Sequence, residues 1–276
     1  MKRVFDQDLL QRRVQNAQRR QTEPDFLWSR IAETLRDRLY DIKRDFPQVA
    51  EIGWYNGVID DTLHQAKKID TLQTLTPFMA ENGILPFIPQ TLDALVSCGV
   101  LHWSDDPQLM LKQYFFALKQ DGVFVGSVMG GETLHELRTV LAETETELYG
   151  GLSPRVSPMI NVQDLAGLMQ QTGFALPVVD YDRITVTYKD LGSLLKDLRS
   201  TGRTNILQQR SKRPVSKKFW QRAEEIYRRD FADERGRLVV TLDVIYLLGW
   251  APDPSQPQPK ARGSATVHLG EALGRV

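Results

Sequence analysis

Cysteine is nearly absent: Cys98 is the only one in 276 residues. A single thiol excludes an internal disulfide, and with four scattered histidines it leaves no cluster at zinc-ligand spacing, so no metal centre is expected. Cys98 lies in an apolar run and reads as a small buried hydrophobe rather than a nucleophile. Net charge is missing too. The 35 basic and 35 acidic side chains cancel, which removes the main sequence-level reason to expect nucleic acid or an anionic membrane surface as partner. Long hydrophobic runs are also lacking. Val239–Trp250 is broken by Thr241 and Asp243, well short of the ~20 apolar residues needed to cross a bilayer. The first residues, MKRVFDQDLLQRR, have no apolar core and carry Asp6 and Asp8, so neither a secretory nor a transit peptide fits. These absences predict a soluble cytoplasmic protein of a reducing compartment. No Ser-His-Asp order or Walker-type loop is visible, and hydrolase or nucleotide-hydrolysing chemistry falls away with them.

What is present is an alternation of strands and helices. Phe26, Leu27, Ile31, Leu35 and Leu39 fall at helical spacing, one stripe facing a core. The arginines at 12, 13, 19 and 20 precede it and read as a solvated face, with a phosphate or partner patch as the alternative. Val49–Gly53, Ile69–Leu75, Leu92–Ser97 and Val123–Val128 are short apolar strands, and Leu238–Trp250 is a long closing one. Asp106-Pro107 opens a helix that runs to Gln120-Asp121-Gly122. Further helices are expected over 132–148, Asn161–Gln171 (closed by Gly173), Tyr188–Arg199 and Lys217–Phe231, with a half-exposed strand at Val178–Tyr188. Strands apolar on both faces and separated by helices predict an α/β, doubly wound, mostly parallel sheet. The expected organisation is an N-terminal helical extension (1–48), a central domain (49–250) with a lid or insertion at about 132–235, and a proline-rich tail (251–276).

Parallel sheets bind ligands beyond the carboxyl ends of their strands. The first such end is Glu51-Ile52-Gly53-Trp54-Tyr55-Asn56-Gly57, where two glycines four apart are a weak signal alone. Taken with Leu85-Pro86-Phe87, Leu92–Ser97, Leu101-His102-Trp103, Leu118–Phe124 and the run GGETLHELR at 130–138, the chain resembles the class I S-adenosylmethionine-dependent methyltransferases. More narrowly it resembles the mitochondrial complex I assembly factor 5 family of arginine hydroxylases and its bacterial methyltransferase relatives. The resemblance runs from Phe5-Asp6 to Trp250, and GGETLHELR is its most specific element. It implies a protein that acts on, or holds, a protein partner such as a respiratory complex I subunit, with S-adenosylmethionine as cofactor. A catalytically degenerate scaffold that binds a partner without the cofactor is the alternative.

The resemblance assigns cofactor positions to Glu51, Gly53, Gly57, Thr74, Glu81 and Ser97. Three features depart from the family pattern. Tyr55 stands where a middle glycine would be, and its side chain intrudes on the methionine moiety. Thr74 replaces the Asp whose carboxylate accepts both ribose hydroxyls, which forfeits about 2–3 kcal/mol of binding. Only 34 residues separate Val58 from Thr91 inclusive, where two crossovers and their strands want roughly 45–50. The third strand is therefore expected to be missing, with its adenine contact. Glu81 is a stand-in for that contact or a solvent-facing residue. On the substrate side, His102 is a candidate general base or a buried structural histidine. Trp103, Gly131, Glu132, Thr133, Glu136 and Arg138 are candidates for substrate or partner binding. For Thr133 and Glu136 a helix capping box is the competing reading.

Overall fold

Strands buried on both faces read as unbroken apolar runs, and such runs supply the centre of a six-stranded sheet. The computed structural model describes residues 3–20, 26–53, 58–80, 83–202, 204–258, 263–264, 266–272 and 274, without the side chains of 18, 20, 269 and 272. The strands are β1 (Gln48–Gly53), β2 (Thr71–Leu75), β3 (Leu92–Cys98), β4 (Leu118–Gly130), β5 (Ala175–Tyr188) and β6 (Leu238–Trp250), in the order β2-β1-β3-β4-β6-β5. The β1–β2, β1–β3 and β3–β4 pairs are parallel, while β6 runs antiparallel to both β4 and β5. In β6 the side chains alternate between layers: Leu242, Val244 and Tyr246 enter one core, Ile245 and Leu247 the other. Period-two alternation with both faces covered makes β6 a central strand.

The length deficit between Val58 and Thr91 has a direct structural counterpart. Among the described residues only a 3-10 turn, Pro77–Met79, is formed between β2 and β3, and no strand is added outside β2. β2 is thus the sheet edge, with Thr71, Gln73 and Thr74 exposed.

Eight helices cover the sheet among the described residues: α1 (Gln7–Arg20), α2 (Phe26–Asp41), α3 (Asp61–Ala66), α4 (Pro107–Ala117), α5 (His135–Tyr149), α6 (Val162–Thr172), α7 (Leu191–Ser200) and α8 (Lys217–Phe231). Buried side chains of α2, α5, α7 and α8 share one core, and those of α1, α4 and α6 the other. Local chemistry starts and stops several of these helices as expected. Asp106 caps α4 by accepting from the Leu109 amide at 2.8 Å, and Asn161 caps α6 by accepting from Asp164 at 2.7 Å. Gly173, at φ 102°, closes α6. Two expectations are corrected. Phe26 is exposed, and α2 instead buries Trp28, Ile31, Ala32, Leu35 and Leu39. α4 ends at Ala117 rather than at Gly122, because Leu118 already pairs with Leu92.

Candidate functional site

A cavity of about 390 Å³ opens beyond the carboxyl ends of β3 and β4. His102 and Trp103 form its floor, in a 3-10 turn (Leu101–Trp103) that follows β3. Leu134, Leu137 and Leu141 from the start and body of α5, Leu195 and Leu198 from α7 and Trp220 from α8 wall it in. α2 contributes Leu27 and Trp28. Trp28 lies so close to the β3 exit that a Cβ on Gly99 would sit 2.2 Å from its ring, and Gly99 has φ +66°. Only glycine meets both conditions, so this residue sets how near the indole comes to the sheet. Trp103 is buried, packs edge-on against Phe5 at 5.7 Å, and its Nε1 has no hydrogen-bond partner among the described residues. His102 is half-buried beside it, centroids 5.2 Å apart, and its Nδ1 lies 3.4 Å from the Met129 amide.

The GGET turn is a clamp built from tertiary hydrogen bonds. Asp243 on β6 accepts from the Glu132 amide at 2.9 Å, and Arg183 on β5 donates to the same carboxylate at 2.7 and 2.9 Å. Burial alone would raise the Asp243 carboxyl, but Arg183 and the Glu132 amide hold it below the ordinary aspartate value. Gly131 has φ +54°, and a Cβ there would lie 2.5 Å from Asp243 Oδ2. Thr133 is buried, its hydroxyl between the Gly130 carbonyl at 2.7 Å and the Asp243 amide at 2.9 Å. Glu136 is 2% exposed and accepts from the Thr241 hydroxyl at 2.6 Å.

These contacts replace the capping box. α5 starts at His135 behind a left-handed Leu134 with no side-chain cap, because both capping residues are taken by β4 and β6. Of the substrate-side candidates, Trp103 and Thr133 line the cavity with His102, whereas Arg138 lines the neighbouring one. Gly131, Glu132 and Glu136 lie in or beside the clamp and are not among the residues lining either cavity.

Several lining residues were not singled out from sequence. Arg155 spans Glu145, donating at 2.9 and 3.1 Å, and stacks over Phe219 at 4.7 Å. Burial raises the Glu145 carboxyl, yet Arg155 and Ser153 outweigh it and leave the group below the usual range. Arg13, expected on a solvated face or in a phosphate or partner patch, is half-buried, bonded at 2.8 Å to both Thr204 Oγ1 and the Asn205 carbonyl. No short-range pattern signals a partner almost two hundred residues away.

The described cofactor-side positions lie together near the carboxyl ends of three adjacent strands: Thr74 on β2 pairs in register with Glu51 on β1, and Ser97 on β3 pairs with Ile52, next to Gly53. The Glu51 carboxylate is buried and accepts from the Val58 amide at 2.8 Å. Gly53 ends β1, and Ser97, fully buried, turns its hydroxyl to Tyr114 at 3.3 Å. Thr74 sits exposed on the edge strand. Gly57 and Glu81, like Tyr55, lie outside the described residues. An adenosylmethionine ribose at the end of β2 would meet a single neutral hydroxyl where the family pattern supplies a charged double acceptor. The described residues therefore do not fit this cofactor. Among the described residues no group of three His, Cys, Asp or Glu could hold a metal ion, and no helix is long and apolar enough to cross a membrane.

A mostly parallel sheet with one reversed strand, β6, between β4 and β5, and a cavity beyond its carboxyl ends, defines the class I methyltransferase fold. A crystal structure of a candidate methyltransferase from Bacillus halodurans superposes with a TM-score of 0.52 at 13% identity, covering 80% of this chain and 99% of that one. No family model matches the chain. The mitochondrial arginine-hydroxylase NDUFAF5 of Rattus norvegicus is 36% identical over 97% of this chain and 83% of its own length. The Homo sapiens protein is 36% identical over 99% and 84%. The malonyl-[acyl-carrier protein] O-methyltransferase of Laribacter hongkongensis is 31% identical over 61% of this chain and 54% of its own. The chain belongs to the arginine-hydroxylase NDUFAF5 family. The mitochondrial names of the rat, human and mouse relatives overturn the cytoplasmic expectation, which rested on N-terminal composition and a lone cysteine.

Proposed function

We propose that this chain serves complex I assembly as a methyltransferase-fold binding protein, receiving a segment of a respiratory-complex subunit in the cavity under α5, α7 and α8. It does so without S-adenosylmethionine as a tightly held cofactor. The observation that carries this reading is the contrast between the two sides of the sheet end. The partner side has a walled cavity and a clamped GGET turn, while the nucleoside side has an edge strand and a threonine where a carboxylate is needed. A fold alone does not specify activity, so the site decides.

A second reading, hydroxylation of a partner arginine with dioxygen as oxidant and a two-electron reductant supplied from outside the chain (one oxygen atom to the arginine, the other to water), is favoured by the 36% identity to arginine hydroxylases over nearly the whole chain. Complementation separates the two. In cells lacking the native gene, Gly53→Val, which adds bulk at the carboxyl end of β1, is expected to keep complex I assembly. Leu198→Trp, which fills the cavity, is expected to lose it, both variants being checked for folding by circular dichroism. Loss of assembly with folded Gly53→Val, or a partner arginine heavier by one oxygen, overturns the first reading.

A further inference from the structure

The two edges of the sheet are built differently. β5 carries the usual devices against further pairing: Pro177, the charges of Asp180, Asp182 and Arg183, and Arg237, which donates to the Thr187 carbonyl at 2.8 Å. β2 has none of them. Its residues, Thr71–Leu75, include no proline and no charge, and they pair with β1 without a bulge. The Thr71 amide donates to the Pro47 carbonyl at 2.9 Å, toward β1. The alternation of a strand therefore turns the amides and carbonyls of Leu72 and Thr74 outward. Among the described residues no strand lies beyond them, and Thr71, Gln73 and Thr74 are exposed. An open edge of this kind is a template for another strand.

The strand that fits this edge is β2 itself. In an antiparallel pairing of two β2 strands about a two-fold axis at Gln73, Leu72 stands opposite Thr74 of the second copy, and Thr74 opposite its Leu72. These are the outward residues of both strands, so each pair exchanges two N–H···O bonds and no outward group is left over. Thr71 meets Leu75, and the two Gln73 side-chain amides face each other, each able to donate to the other. One residue further out, Asp70 stands opposite Thr76, so no like charges meet directly. We infer that this chain forms a two-fold dimer through β2, which joins two six-stranded sheets into one. The second copy takes the place of the strand that the short span from Val58 to Thr91 leaves out. No residue of that span lines either cavity, so the cavities of both copies stay open. A seam this short places the affinity in the micromolar range.

The test reads the mass of the full chain by sedimentation equilibrium between about 1 and 200 μM. The native chain is expected to rise about twofold, from the mass of one chain toward that of two. Gln73→Lys and Gln73→Glu each set like charges opposite one another on the axis. Each is expected to raise the concentration of half-dimerisation at least about tenfold. Gln73 is exposed, so both variants should keep the circular dichroism of the native chain. An equal mixture of the two sets Lys opposite Glu and is expected to restore the dimer. A native chain that stays at single-chain mass throughout overturns the inference, whatever the variants do, and leaves the edge to a strand of another protein. A native dimer that both folded variants keep places the interface elsewhere and overturns it as well. So does a mixture that stays at single-chain mass.

Discussion

Replacing Asp243 by alanine removes the acceptor that holds the GGET turn. Three hydrogen bonds are lost: two from Arg183 at 2.7 and 2.9 Å and one from the Glu132 amide at 2.9 Å. Their worth is unequal. The Arg183 side chain is 51% exposed and rehydrates when released, so its share is heavily discounted. The Asp243 side chain is 4% exposed, and removing it also relieves the desolvation of a buried carboxylate. The net cost is about 2 kcal/mol, which for a chain of this size lowers the unfolding midpoint by roughly 3–4 °C. Urea unfolding followed by tryptophan fluorescence measures it. The pH dependence has a definite sign. The folded-state carboxyl is held below its unfolded value, so its contribution is fully present above the unfolded pKa and is lost as pH falls through the folded one. The gap between native and variant chains should be constant from pH 7 to about 5 and narrow below about 4. A variant within about 0.5 kcal/mol of native at pH 7, or a gap that widens on acidification, refutes the clamp.

Two further outcomes follow from single contacts. Gly99→Ala places a methyl against the Trp28 ring at a φ of +66° and should cost more than about 2 kcal/mol while shifting tryptophan emission; an unchanged midpoint would contradict the packing described. Glu145→Gln leaves Arg155 without its charged partner and weakens the hold on Ser153, so amide exchange at Ser153 should accelerate by about tenfold with little change in the sheet. Uniform acceleration across β3 and β4 would mean that Glu145 holds the whole fold rather than this loop.

Much of the fold was readable because its causes are local. Lys217–Phe231 and Leu238–Trp250 have the bounds that their periodicity predicts, and the caps at Asp106, Asn161 and Gly173 fall where their chemistry places them. The short span after Val58 told of a missing third strand, since chain length limits how many crossovers fit, and β2 is the sheet edge as a result. The site was less readable because its determinants are distant in sequence. Thr133 and Glu136 have the spacing of a capping box, yet residues more than a hundred positions away on β6 take both side chains. Arg13 looks like any solvated arginine until Thr204 is folded against it. The cavity-lining leucines of α7 form an ordinary amphipathic stripe, and only the packing of α2, α5 and α8 around them makes a groove.

The most direct test of the account is a calorimetric titration of the purified chain with S-adenosylmethionine and S-adenosylhomocysteine. The missing carboxylate at Thr74 predicts no measurable heat with either compound at high micromolar concentrations. Binding near the micromolar range, abolished by Gly53→Val, would contradict it and restore a working cofactor site.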